Sequence, residues 1–142
     1  MIRHAKKEDA ESCIHLFDAI KEDYTAYKKD SFQDDLQQGI DRREVFVSMD
    51  DDTLEGFVMF DRANKALTML AVHPDYRNQS VATKLIYTVA GCFEPEDEIK
   101  VIAYGDEEQI EELKGFYYSC GFEDDDDYAK DETGVHHFVY RV

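Results

Sequence analysis

Residues 66–82 read ALTMLAVHPDYRNQSVA, and this stretch decides the fold of the chain. Its first part, Ala66 to Val72, is a near-continuous apolar run with the length of a buried strand. The run stops at His73-Pro74, where a short polar turn begins. A second apolar pattern then starts, and its members recur at the spacing of an amphipathic helix: Val81, Leu85, Ile86, Val89, Ala90 and Phe93. The stretch therefore predicts a strand, a loop and a helix in succession.

The loop of this stretch leads main-chain N–H groups into the N-terminus of the predicted helix. The first N–H groups of a helix have no partners within it, and the aligned peptide dipoles give this end a partial positive charge. Such an N-terminus suits a phosphate group. We therefore expect a cofactor to bind where the loop meets the helix.

Length and composition indicate one globular domain over residues 1–142, since 142 residues can bury one core but not two. Hydrophobic residues make up 43% of the chain, and no apolar run approaches the ~20 residues that cross a bilayer. The N-terminus has no apolar segment typical of a secretory signal, so we expect a cytoplasmic protein. Cys13, Cys92 and Cys120 are scattered and lack metal-ligand spacing, which favours reduced thiols.

The net charge of −17 argues against nucleic acid and against an anionic membrane surface as partners, because both would be repelled. Acidic clefts can concentrate cationic substrates such as polyamines or amino sugars. Solubility, or adaptation to a salty interior, explains the charge equally well. The charge alone identifies no substrate.

Hydrophobic periodicity elsewhere predicts a mixed α/β (α+β) domain with a largely antiparallel sheet. We expect a first strand at 1–4, and then a helix from residue 8 whose buried stripe continues to Tyr24 and Tyr27. A capping box at Ser31 and Asp34 predicts the start of a second helix. A hairpin at 45–60, a strand at 99–104, a helix ending before Gly121 and a strand at 135–142 follow.

Three segments carry a resemblance to a known family. Residues 70–77 (LAVHPDYR) match the central strand and the start of its loop, and residues 77–82 (RNQSVA) match a pyrophosphate loop. Residues 116–122 (FYYSCGF) match a late aromatic-tyrosine and glycine-phenylalanine pair. In this order, the segments resemble the GNAT superfamily of N-acetyltransferases over essentially the whole chain. The resemblance implies a twisted sheet flanked by about four helices.

The resemblance also implies acetyl-coenzyme A as cosubstrate, without a metal ion. The main chain of Leu70, Ala71 and Val72 would pair with the pantetheine arm, and Arg77 would lie where the loop begins. The pyrophosphate would be wrapped by the amides of Asn78, Gln79, Ser80, Val81, Ala82 and Thr83.

Ser80 departs from the family pattern, which has glycine at this position of the loop. Its Cβ restricts the backbone and crowds a phosphate oxygen. Its hydroxyl could donate a hydrogen bond to the phosphate, or it could cap the helix. Both roles stay open at this point.

Tyr117 is the expected general acid, because the tyrosine at this position of the family lies beside the thioester sulfur. A phenol stays protonated at neutral pH and can return a proton to a thiolate. The alternative is that Phe116, Tyr117 and Phe122 are core aromatics. Tyr118 points about 100° away around the helix and is expected at the surface.

No general base is assigned. The strand at 66–72 holds no carboxylate, and Thr68 is its one polar side chain. Asp61, His73, His136 and His137 are candidates that no spacing specifies, although the two adjacent histidines would face opposite sides of a strand. The acidic run at 50–52 is interpreted as a hairpin turn. The run at 123–127 is interpreted as a solvated turn, with the alternative that it lines an acceptor cleft.

These observations predict a direct transfer of acetyl from acetyl-coenzyme A to a primary amine of a small molecule or peptide. Two alternatives remain open. One is a GNAT-like module that binds coenzyme A without catalysis, and the other is an acidic interaction protein. A homodimer is also left open, because dimers are common for this fold.

Overall fold

The computed structural model of the chain describes residues 1–20, 29–77, 79–104, 106–125 and 135–142. The described strands are β1 (Ile2–His4), β2 (Val45–Asp50), β3 (Thr53–Asp61), β4 (Ala66–Val72), β5 (Glu98–Tyr104), β6 (Glu123–Asp124) and β7 (Val135–Arg141). The described α-helices are α1 (Ala10–Ile20), α2 (Lys29–Asp41), α3 (Val81–Ala90) and α4 (Glu107–Ser119). Single turns of 3-10 helix lie at Lys7–Asp9 and Pro74–Tyr76.

The strands form one sheet in the order β1-β2-β3-β4-β5-β7-β6. Every neighbouring pair is antiparallel except β4 and β5, which are parallel. The predicted fold class, a mixed α+β domain with a largely antiparallel sheet and about four helices, is confirmed. No described helix has the length and apolar character that crossing a membrane requires.

The two faces of the sheet carry separate cores because side chains alternate along each strand. On one face, Val58 and Leu70 pack with the apolar stripe of α3 and with α4. On the other face, Phe57 and Met69 pack with α1 and α2. The apolar stripe of α2 faces this second core, since Phe32, Leu36 and Ile40 are buried.

The strands β4 and β5 pair at their base and then separate. Ala66 lies opposite Lys100, which is the one register position between these two strands in the described residues. The N–H of Lys100 also donates to the carbonyl of Lys65 at 2.8 Å. An ion pair joins Lys65 Nζ to Asp97 Oδ1 at 2.8 Å beside this point. The two strands are therefore held together at one end.

A β-bulge bends β4 where the pairing with β5 stops. Phe60 lies opposite Leu67 and Met59 lies opposite Met69, so Thr68 is the extra residue. Continuing the register of Ala66 and Lys100 would bring Thr68 opposite Ile102. No such pair is present in the described residues, and both side chains are exposed. Beyond Ala66 and Lys100 no register pair joins β4 to β5 in the described part of the chain, and we call the gap between their C-terminal parts the cleft.

Most predicted elements lie where the sequence put them, and the bounds of β4 and the first residue of α3 agree to the residue. The capping box predicted at Ser31 is wrong, because α2 begins at Lys29 and Ser31 lies inside it. Tyr24 and Tyr27, assigned to the buried stripe of the first helix, lie outside the described residues.

The acidic run at 123–127 is not simply a solvated turn. Glu123 and Asp124 form β6, which pairs with β7. Asp125 is buried, and its Oδ2 lies 3.4 Å from Lys100 Nζ. Residues 126 and 127 lie outside the described residues. An available strand edge on β7 thus overrides the weak strand preference of acidic residues.

Gly56→Ala is expected to destabilise the protein by about 1–3 kcal/mol, as overpacking does. Gly56 lies opposite Val72, and a Cβ added there would lie 2.6 Å from the carbonyl oxygen of Ala71. Gly115→Ala is the control, because an added Cβ at this exposed position of α4 meets no atom within 4 Å. It should stabilise the helix by about 1 kcal/mol. Urea unfolding measures both, and equal stabilities would contradict the close approach at Gly56.

Candidate functional site

The peptide groups of β4 alternate between the sheet and the cleft. The N–H of His73 donates to the carbonyl of Glu55 at 2.8 Å, so this residue pair is hydrogen-bonded across β3 and β4. The antiparallel alternation then directs the peptide groups of Ala71 towards β3 and those of Leu70 and Val72 away from it. Of the three strand residues predicted to face a cofactor, Leu70 and Val72 have peptide groups on the cleft side.

The loop after β4 is fixed by its own hydrogen bonds. His73 Nδ1 accepts from the N–H of Asp75 at 3.1 Å, which makes His73 the residue that starts the 3-10 turn. Arg77 Nε donates to the carbonyl of Val72 at 3.3 Å, so Arg77 lies where β4 passes into the loop. Gln79 Nε2 donates to the carbonyl of Asp75 at 3.3 Å. Asn78, also predicted in the cofactor site, lies outside the described residues.

Ser80 has a left-handed backbone conformation, with φ 65° and ψ 15°. Glycine adopts this conformation without strain, and a residue with a Cβ does so at a cost of about 1–2 kcal/mol. The serine hydroxyl makes no cap hydrogen bond to α3, so the structure does not show the capping alternative. The backbone at Ser80 therefore follows the path that a glycine would take.

The first turn of α3 connects the loop with the end of α4. Val81 is buried in the core, while Ala82 and Thr83 are half-buried. Thr83 Oγ1 lies 3.7 Å from Sγ of the buried Cys120, which follows directly after α4. The residues predicted to hold a diphosphate and the helix that carries Tyr117 therefore meet at this contact.

The end of α4 explains the aromatic-tyrosine and glycine-phenylalanine sequence. Gly121 has φ 98°, and its N–H donates to the carbonyl of Tyr118 at 3.1 Å. The N–H of Phe122 donates to the carbonyl of Tyr117 at 3.0 Å. This pair of hydrogen bonds is a Schellman motif, in which an apolar residue after the glycine folds back on the helix. The rings of Phe122 and Tyr117 accordingly lie 5.2 Å apart.

The ring of Tyr117 lies in an aromatic cluster and is 8% exposed. Its centroid is 5.0 Å from that of Phe138 and 5.0 Å from that of Phe116. The alternative interpretation of these aromatic residues, a place in the core, thus holds for Tyr117 and for Phe122. The role of its hydroxyl as an acid stays a prediction.

The four candidate bases lie in different surroundings. Asp61, at the end of β3, has its pKa lowered by the hydrogen bond from Asn64. His73 is a turn residue, and His137 is half-buried on the opposite side of β7 from His136. His136 is buried, with its Nε2 2.8 Å from Asp124 Oδ1. The prediction that the two adjacent histidines face opposite sides of the strand is confirmed.

Asp124 also accepts a hydrogen bond from the hydroxyl of Tyr118 at 2.5 Å. Tyr118 is 44% exposed, as predicted for the surface side of α4. The hydrogen bonds from Tyr118 and His136 lower the pKa of Asp124. Sequence patterns do not reveal this cluster, because Asp124 approaches both side chains only when β6 pairs with β7.

A cavity of about 210 Å³ lies between α2 and the strands β3 and β4. Thr68, the bulged residue of β4, lines it. The charged residues that line this cavity are Asp35, Arg42, Glu44 and Asp61. Three carboxylates against one guanidinium give this cavity an acidic wall.

One family model matches the chain. It is described as an acetyltransferase (GNAT) domain, and it matches residues 41–124. The matched range includes β4, the following loop, α3 and α4. No curated protein matches the chain.

Solved structures share the fold over nearly the whole chain. A GNAT-family acetyltransferase from Bacillus cereus is 17% identical, with a TM-score of 0.73 over 99% of this chain and 96% of that one. The PaiA N-acetyltransferase of Thermoplasma acidophilum, solved with coenzyme A, is 16% identical, with a TM-score of 0.70 over 100% and 98%. The apo form of YjaB from Escherichia coli is 21% identical, with a TM-score of 0.67 over 99% and 96%.

Ser80→Gly is expected to unfold at a higher urea concentration than Ser80→Ala. Both changes remove the hydroxyl, but only glycine relieves the left-handed strain, a difference of about 1 kcal/mol. The greater freedom of glycine in the unfolded chain offsets part of this gain. A lower midpoint for Ser80→Gly than for Ser80→Ala would mean that residue 80 does not keep a positive φ in solution.

Proposed function

We propose that this chain, which belongs to the GNAT acetyltransferase family, transfers an acetyl group from acetyl-coenzyme A directly to a primary amine. The observation that carries the proposal is the cleft between β4 and β5, with the left-handed turn at Ser80 leading into α3 at its open end. This arrangement offers donors for a diphosphate at the helix and peptide groups for an extended arm along the strand.

In the proposed complex, the diphosphate accepts hydrogen bonds from the N–H groups at the start of α3. The predicted set runs from Asn78 to Thr83, with Arg77 beside it. Several main-chain donors and the helix dipole stabilise a diphosphate without requiring a buried lysine. The pantetheine arm pairs with the peptide groups of Leu70 and Val72, as an additional strand would.

The proposed reaction begins with a neutral primary amine, whose nitrogen attacks the thioester carbonyl carbon. An N–H of β4 on the cleft side polarises that carbonyl and stabilises the oxyanion of the tetrahedral intermediate. The carbon–sulfur bond then breaks, and Tyr117 gives its proton to the leaving thiolate. The amine nitrogen loses one proton to solvent, and Tyr117 is reprotonated from solvent, so the products are an amide and coenzyme A.

The acceptor is proposed to be cationic, for example a polyamine or an amino sugar. The net charge of −17 and the acidic wall of the cavity beside Thr68 support this class. The negative potential attracts a cation and raises its local concentration before it reaches the cleft.

Isothermal titration with acetyl-coenzyme A and thiol release with a panel of amines test the proposal. We expect binding, together with release of coenzyme A that depends on the amine. Cationic amines should be favoured over acidic peptides, and their advantage should shrink as salt screens the charges. Binding without release would indicate a coenzyme A-binding module, and absence of binding would indicate an interaction protein. Equal rates for both amine classes would remove the electrostatic argument.

Tyr117→Phe is expected to lower kcat by about 10²-fold, the lower end of the range for general acid catalysis. The KM for acetyl-coenzyme A should stay nearly constant, because the ring remains in the aromatic cluster. Tyr87→Phe is the matched control, since Tyr87 lies on α3 with 57% of its surface exposed. Steady-state thiol release measures both variants. A Tyr117→Phe protein with native kcat would exclude the acid role.

A further inference from the structure

Three polar side chains from three different elements meet beside Tyr117. Tyr118 comes from the last turn of α4, Asp124 from β6 and His136 from the start of β7. One oxygen of Asp124 accepts from the Tyr118 hydroxyl at 2.5 Å and lies 2.8 Å from His136 Nε2. An ionised carboxylate can only accept, so the His136 nitrogen is the donor in the second bond. Asp124 therefore links the end of α4 to β7.

The ring of Phe138 lies under this cluster and is fully buried. Its centroid is 4.5 Å from that of His136 and 5.8 Å from that of Tyr118. The same ring lies 5.0 Å from Tyr117. In the sheet, Phe138 is also the register partner of Asp124. A displacement of Asp124 or Tyr118 would consequently reach Tyr117 through Phe138.

The backbone gives a second connection to Tyr117. The carbonyl groups of Tyr117 and Tyr118 accept the two hydrogen bonds that end α4. The Tyr118 hydroxyl bond adds a side-chain link between this last turn and β6. Tyr117, the preceding residue, therefore lies in a turn that is joined to β6 as well as closed by its own backbone bonds.

We propose that Tyr118, Asp124 and His136 form a positioning network that sets the orientation of the Tyr117 side chain. This inference rests on the proposed function, in which Tyr117 is the acid for the leaving thiolate. Tyr118 itself is not the acid in this scheme, because its hydroxyl proton is directed at Asp124. The network acts through Tyr117 and Phe138 and does not touch the substrate.

A purely stabilising role predicts a different pattern of effects. Tyr118 is 44% exposed and the side chain of Asp124 is 57% exposed, and a hydrogen bond between exposed side chains contributes little to stability. A misplaced acid group, in contrast, can lower the rate by up to about 10²-fold. A large loss of kcat with a small loss of stability is therefore the signature of positioning.

The test compares Tyr118→Phe and Asp124→Asn with Glu123→Gln. Glu123 is the neighbouring acidic residue on β6 and forms an exposed ion pair with Arg141, so it is a matched control. We expect kcat to fall by about tenfold to 10²-fold in the two network variants, with KM for acetyl-coenzyme A unchanged. Glu123→Gln should keep native kcat. His136 is not replaced, because a change at this buried position would disturb packing as well.

A double-mutant cycle separates positioning from an independent effect. If Tyr118 acts through Tyr117, the double variant Tyr117→Phe with Tyr118→Phe should be no slower than Tyr117→Phe alone. Additive losses would overturn the inference. Native kcat in both network variants, alongside a slow Tyr117→Phe, would also overturn it while leaving the proposed function intact.

The role of the network at the end of α4 can also be measured in a way that does not depend on acetyl transfer. Amide hydrogen exchange at Gly121 and Phe122 reports on the bonds that close the last turn of α4. We expect faster exchange at both amides in Tyr118→Phe and Asp124→Asn, and native exchange in Glu123→Gln. Unchanged exchange in the network variants would show that the cluster does not fix this turn.

Discussion

The separation of β4 from β5 is the constraint on which the rest of the structure depends. Parallel neighbours normally continue to exchange hydrogen bonds along their length, and here the described pairing stops after Ala66 and Lys100. The bulge at Thr68 bends β4 at this point, so the next peptide groups on that side turn towards a cleft. On this side the chain itself supplies one partner, since Arg77 Nε donates to the carbonyl of Val72. The register of the sheet thus sets which peptide groups of β4 face this cleft.

The position of α3 follows from the same strand. The loop that begins at His73 is short and held by its own hydrogen bonds, so the helix starts close to the end of β4. Ser80 adopts the left-handed turn that the loop needs, although it carries a Cβ. The helix N-terminus and the cleft therefore adjoin each other because one loop joins them. At this position the backbone path matters more than the identity of the side chain.

Sequence patterns predict the parts of the fold that depend on local periodicity. The strand at 66–72 and the start of α3 at Val81 agree because the apolar pattern changes period there. The predicted start of α2 was wrong, because a Ser and an Asp three residues apart also occur inside helices, as Ser31 and Asp34 do here. The bulge at Thr68 and the strand at Glu123–Asp124 could not be predicted, because both are set by a neighbouring strand. The cluster around Asp124 was missed for the same reason, as its members are distant in sequence.

The contacts that hold β4 and β5 together at their base also have a mechanical consequence. From Ala66 to Val72 the strand extends about 20 Å at the rise of a β-strand. A rotation of about 5° at the base would therefore move the far end by about 2 Å, which is enough to misalign a hydrogen bond along that arm. The contacts at this base are the ion pair of Lys65 with Asp97 and the hydrogen bond from the N–H of Lys100 to the carbonyl of Lys65. Beyond this base β4 stays paired with β3 and β5 stays paired with β7, so the opening lies between two parts of the sheet that are each held by their own strand pairing.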